Sequence, residues 1–165
     1  MIKAYATVGL TSLALVLGVP VVGAFMANWS GANLKAQDAP MAFKKDFINV
    51  SKGRFSGAVV VHGAGMKTIY VSGHTGRGED LKTQAVAAYE SLVKELAAAG
   101  AKPQDVVKLN TYIANFTPDD RAAYEEAKRK SFPQDDLPAS TMVGVQALIS
   151  PQNRIEVEAV AVVKE

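Results

Sequence analysis

Few side chains in this 165-residue sequence can do chemistry unaided. Cysteine is absent, which removes thiol nucleophiles, zinc-thiolate sites and iron-sulfur clusters. His62 and His74 are the only imidazoles. A catalytic metal centre wants two or three nitrogen or carboxylate ligands on a rigid frame, so neither a metal nor a cofactor is expected. Ser140 has no histidine near it in sequence, and a serine without a base and an oxyanion hole is a poor nucleophile. Gly76-Arg77-Gly78 lacks the following Lys-Ser or Lys-Thr of a phosphate-cradling loop. What remain are the carboxylates, each either a general base, which needs a substrate positioned beside it, or a solvated acid such as those on the exposed side of an alternating strand.

The elements that must carry these residues follow from hydrophobic spacing. Ala58-Val-Val-Val-His62 and Lys67-Thr-Ile-Tyr-Val-Ser72 are β-branched runs separated by Gly63-Ala64-Gly65, which predicts a hairpin, with Phe43 to Val50 as a strand before it. From Asp80 to Ala99 the apolar residues Leu81, Ala85, Ala88, Tyr89, Leu92 and Leu96 recur at three and four, and Gly100 follows, as in an amphipathic helix with a glycine stop. Val106 to Ile113 returns to strand spacing. Thr117-Pro118-Asp119-Asp120 predicts the capped start of a second helix running to about Ser131. Thr141 to Leu148 and Arg154 to Val163 predict two closing strands joined by Ser150-Pro-Gln-Asn153. In the last, Ile155, Val157, Ala159 and Ala161 face one way, Glu156 and Glu158 the other. His74 to Glu79 is predicted as a loop. The fold class is α+β: a six-stranded mixed sheet with two helices on one face. A sheet covered on one face only must bury the other, so a homo-oligomer packed sheet against sheet is expected.

The first forty residues differ from the rest. Ala4 to Ala27 are 24 residues without a charge, preceded by Lys3 and followed by Trp29. About 20 such residues span a bilayer, while a signal peptide has a shorter apolar core and a small-residue cleavage site, for which Val22-Gly23-Ala24 is an imperfect match. Residues 1-27 are therefore expected to be a transmembrane anchor or an export signal, with length favouring the anchor. Residues 28-40 form a tether and 41-165 the domain. Lys3 puts the N-terminus inside; in a bacterial cell the domain is then expected on the periplasmic side of the inner membrane, or free in the periplasm after cleavage. With 18 basic and 16 acidic residues and no long run of like charge, nucleic acid is not an expected partner. A chain of this size and apolar content, 48%, supports one core.

The segments Gly53-Arg-Phe-Ser-Gly-Ala-Val59, Ile69-Tyr-Val-Ser-Gly73, Ala99 to Ile113 (AGAKPQDVVKLNTYI), Leu137-Pro-Ala-Ser-Thr-Met-Val-Gly-Val145 and Ile155-Glu-Val-Glu-Ala-Val-Ala-Val162, in this order, resemble the Rid (YjgF) family of reactive intermediate deaminases. The resemblance covers nearly all of Phe43 to Val163. It implies a chorismate-mutase-like fold assembled as a homotrimer, with ligand clefts between subunits that take a short imino or keto acid. It also implies an Arg that forks the ligand carboxylate and a Glu that helps water attack the iminium carbon. Glu156 matches that Glu. The Arg position is Ser140 here, in Pro138-Ala-Ser140, and a hydroxyl cannot replace a bidentate guanidinium. The ring of Phe55 stands where the family has a Tyr. Ser72, Gly73, His74 and Met142 fall at ligand-lining positions, and Arg121 falls where many members have a cleft-facing Asn. The implied function is a binding protein for a small metabolite or a protein partner with little or no imine deaminase activity. Two alternatives stand beside it: a periplasmic enamine or imine deaminase, and an accessory subunit that meets a membrane-protein partner in an inner-membrane complex.

Overall fold

A computed structural model describes residues 43–165. The apolar segment 1-27 and the tether 28-40 lie outside the described residues. Six strands form one sheet: β1 Lys44–Ser51, β2 Phe55–Gly63, β3 Met66–Thr75, β4 Val106–Ala114, β5 Ala139–Val145 and β6 Ile155–Lys164. The helices are α1, Leu81–Ala98, and α2, Asp120–Ser131, with a 3-10 turn at Pro103–Asp105. The spatial order is β1-β2-β3-β6-β4-β5. All neighbours are antiparallel except β4 and β5, which run parallel and are joined through α2. The last strand of the chain thus lies at the centre of the sheet. Among the described residues no helix is long and apolar enough to cross a membrane.

The β2–β3 turn is tighter than the glycine spacing predicts. Only Ala64 and Gly65 lie between the strands, with φ of 55° and 73°, the pair of left-handed residues that a two-residue hairpin needs to match strand twist. One face of the sheet packs on the helices. Ala58, Val60, Ile69, Val71, Leu109, Ile113, Ile155, Val157 and Ala161 meet Leu81, Ala85, Tyr89, Leu92 and Leu96 of α1, and Tyr124 and Phe132 close the far side. Two polar side chains in this core are paired: Tyr89 Oη and Thr111 Oγ1 are 3.0 Å apart. Burial accordingly holds the Tyr89 phenol well above its usual range, so it stays neutral.

The second helix begins later than the sequence predicts. Thr117 is not its cap; Asp119 precedes the first helical residue and makes no side-chain capping bond. Instead the Asp120 carboxylate accepts from Thr117 N at 2.8 Å and Oγ1 at 3.1 Å, so the acid rather than the hydroxyl closes the turn. The same Asp120 oxygen accepts from Arg154 Nη2 at 3.1 Å. Arg154 Nε donates to Ala114 O.

Gln84, only 4% exposed, ties three backbone segments together. Its Nε2 donates to Gly78 O at 3.0 Å and Gln152 O at 2.9 Å, and its Oε1 accepts from Arg154 N at 2.7 Å. The β3–α1 and β5–β6 connections are thereby tied to each other by one side chain. Gln84→Ala strands a buried N–H and two carbonyls, and is expected to lower unfolding free energy by roughly 2–4 kcal/mol in a denaturant titration; an unchanged midpoint contradicts this role.

Candidate functional site

The alternation of β6 puts Glu156 and Glu158 on the sheet face away from the helices, opposite Ile155, Val157 and Ala159 in the core. A carboxylate on a packed strand needs space, and β3 provides it. Val71 pairs with Ala159 and His74 with Val157, so Ser72 and Gly73 together stand opposite Glu158 alone. This is a β-bulge. Gly73 sits in it because the Glu156 side chain lies across its Cα: a Cβ there would come within 1.8 Å of Glu156 Oε1. Glu156 is half-buried, and its proton affinity is raised first by desolvation and then by the negative charge of Glu158.

Glu158 is itself held. Its Oε1 accepts from Asn110 Nδ2 and from Tyr112 Oη of β4, both at 2.9 Å. The Glu158 contact keeps the Tyr112 phenol protonated to higher pH than usual. Beside it a shallow cavity of about 180 Å³ is lined by Tyr70, Lys108, Asn110 and Glu158. Exposed Phe47, Phe55, Tyr70 and Val143 lie on the same molecule outside the core.

The other sequence-nominated residues fall in different places. Ser72 is spent locally: its Oγ donates to Ser56 O at 2.6 Å, joining β3 to β2 beside the bulge. Phe55 opens β2, paired with Ser51, and its ring is exposed. His74 corrects the sequence expectation. It belongs to β3 and not to a loop, because the bulge restores strand pairing at His74–Val157 and Thr75–Glu156. Its Nε2 is buried without a partner, and burial lowers its proton affinity against the pull of Glu95. Arg121 is largely exposed and pairs with Glu125 at 2.8 Å, one helical turn on. Ser140 and Met142 lie on β5, across β4 from Glu156. Ser140 Oγ accepts from Lys128 Nζ at 3.1 Å, and the neighbouring Thr141 Oγ1 from Lys108 Nζ at 2.6 Å. The Met142 side chain packs against the core.

The chain therefore brings together Gly73, Ser72 and Glu156, and holds Ser140, Met142 and Arg121 apart from them. Sequence reasoning missed Asn110 and Tyr112, although their alternation with Leu109, Thr111 and Ile113 marks them as partners of the Glu156 face. It also missed buried Glu95, whose carboxylate fills the space over Gly57, where a Cβ would lie 2.2 Å from its Oε1. Glu95 accepts from Asn49 Nδ2 at 3.1 and 2.9 Å. No signal in the sequence pairs these residues. Among the described residues no group of three or more His, Cys, Asp or Glu is placed to hold a metal ion.

Three sets of likeness bear on this geometry. The endoribonuclease L-PSP family model matches residues 49–163. A protein of Dermatophagoides farinae named 2-iminobutanoate/2-iminopropanoate deaminase is 35% identical over 121 residues, 68% of this chain and 88% of its own. A YjgF-family structure from Mycobacterium tuberculosis superposes with a TM-score of 0.62 at 27% identity, covering 73% of this chain and 100% of the other. A Rid-family protein of unknown function from Yersinia pestis gives 0.55 at 30% identity, covering 71% and 97%.

The raised proton affinity of Glu156 has a consequence for stability. The folded state holds the proton more tightly than the unfolded chain, so this group favours folding most at acid pH, and the benefit is lost as pH rises through the folded-state pKa. Glu156→Gln is expected to be more stable than wild type at about pH 7 and indistinguishable from it at about pH 3. Thermal melts at the two pH values check this; a variant less stable at pH 7 contradicts the desolvation of Glu156.

Proposed function

This chain belongs to the endoribonuclease L-PSP family, the YjgF or Rid family, and we propose that it binds a small imine and hydrolyses it with Glu156, weakly when the substrate is a 2-imino carboxylate. The observation that carries the proposal is the half-buried Glu156 carboxylate seated over Gly73 with, among the described residues, no cation beside it. A carboxylate with raised proton affinity is a better base near neutral pH than an exposed one. Glu156 takes a proton from water as the water oxygen bonds to the iminium carbon. The same carboxyl then returns that proton to the nitrogen of the carbinolamine. The C–N bond breaks as the carbonyl forms and the hydroxyl proton leaves, so that iminium and water become carbonyl compound and ammonium.

Charge sets the substrate preference. Glu156 and Glu158 share one face, which favours a cationic iminium and disfavours an anion. Where the family resemblance places a guanidinium fork, this chain offers the Ser140 hydroxyl with a single Lys128 ammonium on it, a point charge without the planar two-donor geometry. The same two carboxylates make the face a poor partner for a phosphate backbone. The relative's name supports imine hydrolysis as the reaction class. Exposed Phe47, Phe55, Tyr70 and Val143 support a trimer that packs sheet against sheet, and the uncharged run 4–27 supports placing the domain across a membrane from the N-terminus.

Ser140→Arg restores the fork. Ammonia release from 2-iminopropanoate, generated in situ, is expected to rise about tenfold or more over wild type, the worth of one charge-assisted bidentate contact. Hydrolysis of an imine lacking a carboxylate is expected to stay within a few-fold. A variant that gains nothing on 2-iminopropanoate overturns the account of Ser140.

A further inference from the structure

We propose that Glu158, held by Asn110 and Tyr112, is a positioning residue that sets the charge state of Glu156 for its work as base and then acid. This deepens the functional proposal above and rests on it. Glu156 and Glu158 are two apart on β6 and share the open face. Two donors converge on one Glu158 oxygen, Asn110 Nδ2 and Tyr112 Oη, and both come from β4, the strand that flanks β6 on the side away from Gly73. These two donors fix where the Glu158 carboxylate stands on the face it shares with Glu156. Among the described residues Glu156 has no such donors. The carboxylate that is held is therefore the one without a catalytic role, and the one without donors is the one that must change its proton.

Among the described residues no cation acts on Glu156 to oppose this. From β3 it faces Gly73 and its register partner Thr75; from β4 its partner is Tyr112. His74 belongs to the core side of the sheet, where Glu95 of α1 acts on it. Lys108 of β4 donates to Thr141, and Arg154, two residues before Glu156, is engaged by Asp120 and Ala114 O. The two causes that raise the Glu156 proton affinity are its own desolvation and Glu158, and only the second can be removed without moving the carboxylate. A second carboxylate two residues along the same strand face makes the Glu156 proton harder to remove.

The test uses the full chain with 13C-labelled glutamate carboxyls, the Glu156 resonance being identified by its loss in Glu156→Gln. Glu158→Gln keeps an oxygen that accepts from Asn110 and Tyr112 and removes the charge. The Glu156 titration midpoint is expected to fall by about half a unit or more in this variant, and to fall by less in Tyr112→Phe, which keeps the ring and releases one donor. The acid limb of the pH–rate profile for imine hydrolysis moves to lower pH with it. A midpoint that stays within error in both variants overturns the proposal, as does a rate that drops at all pH values without a shift of the limb, the result a merely structural role would give. A midpoint that shifts in a protein hydrolysing no imine supports the coupling and overturns the functional reading above it.

Discussion

A carboxylate can lie half-buried across a β-sheet only where the neighbouring strand leaves it room, and here that room is the missing side chain of Gly73. Every other feature of the site follows from it. The bulge at Ser72 and Gly73 lets two residues of β3 face one of β6, which sets Glu156 over a backbone rather than over a side chain. The resulting loss of water, with Glu158 nearby, raises the proton affinity of Glu156. A solvated glutamate on the same strand would have neither the proximity nor the basicity.

The rest of the fold holds the start of β6 still. Arg154 is fixed at its amide by Gln84, at its guanidinium by Asp120 and Ala114 O, and Ile155 beside it is fully buried. Glu156 therefore follows two residues that cannot shift. Gln84 comes from the first turn of α1 and Asp120 from the first turn of α2, so both helices bear on the site through their N-terminal ends. Packing on one face of the sheet positions Glu156 on the other.

Much of this was legible in the sequence. The alternation Ile155, Val157, Ala159 against Glu156, Glu158 identified the core face and the open face of β6, because a period of two has one physical meaning. The spacing of Leu81, Ala85, Tyr89, Leu92 and Leu96 identified the buried face of α1 for the same reason. Legibility failed where the cause was not periodic. His74 looked like a loop residue because it precedes Thr75-Gly76-Arg77-Gly78, yet a bulge two residues earlier carries the strand through it. Thr117 looked like a helix cap, but its hydroxyl and its N–H both donate to the Asp120 carboxylate, so the hydroxyl accepts no helix N–H there. Glu95 lies among Leu92 and Leu96 on the buried face of α1, where Gly57 leaves room for its carboxylate and Asn49 donates to it. Such a match, between residues far apart in the chain, leaves no local pattern.

The central claim is that Glu156 is the group that moves the proton. The most direct measurement is single-turnover ammonia release from a cationic imine without a carboxylate, by full-length wild type and by Glu156→Gln, each against buffer alone. Wild type should exceed buffer by at least about a hundredfold, the usual worth of a positioned general base, and Glu156→Gln should fall back to the buffer rate. Equal rates for the two proteins would contradict the account.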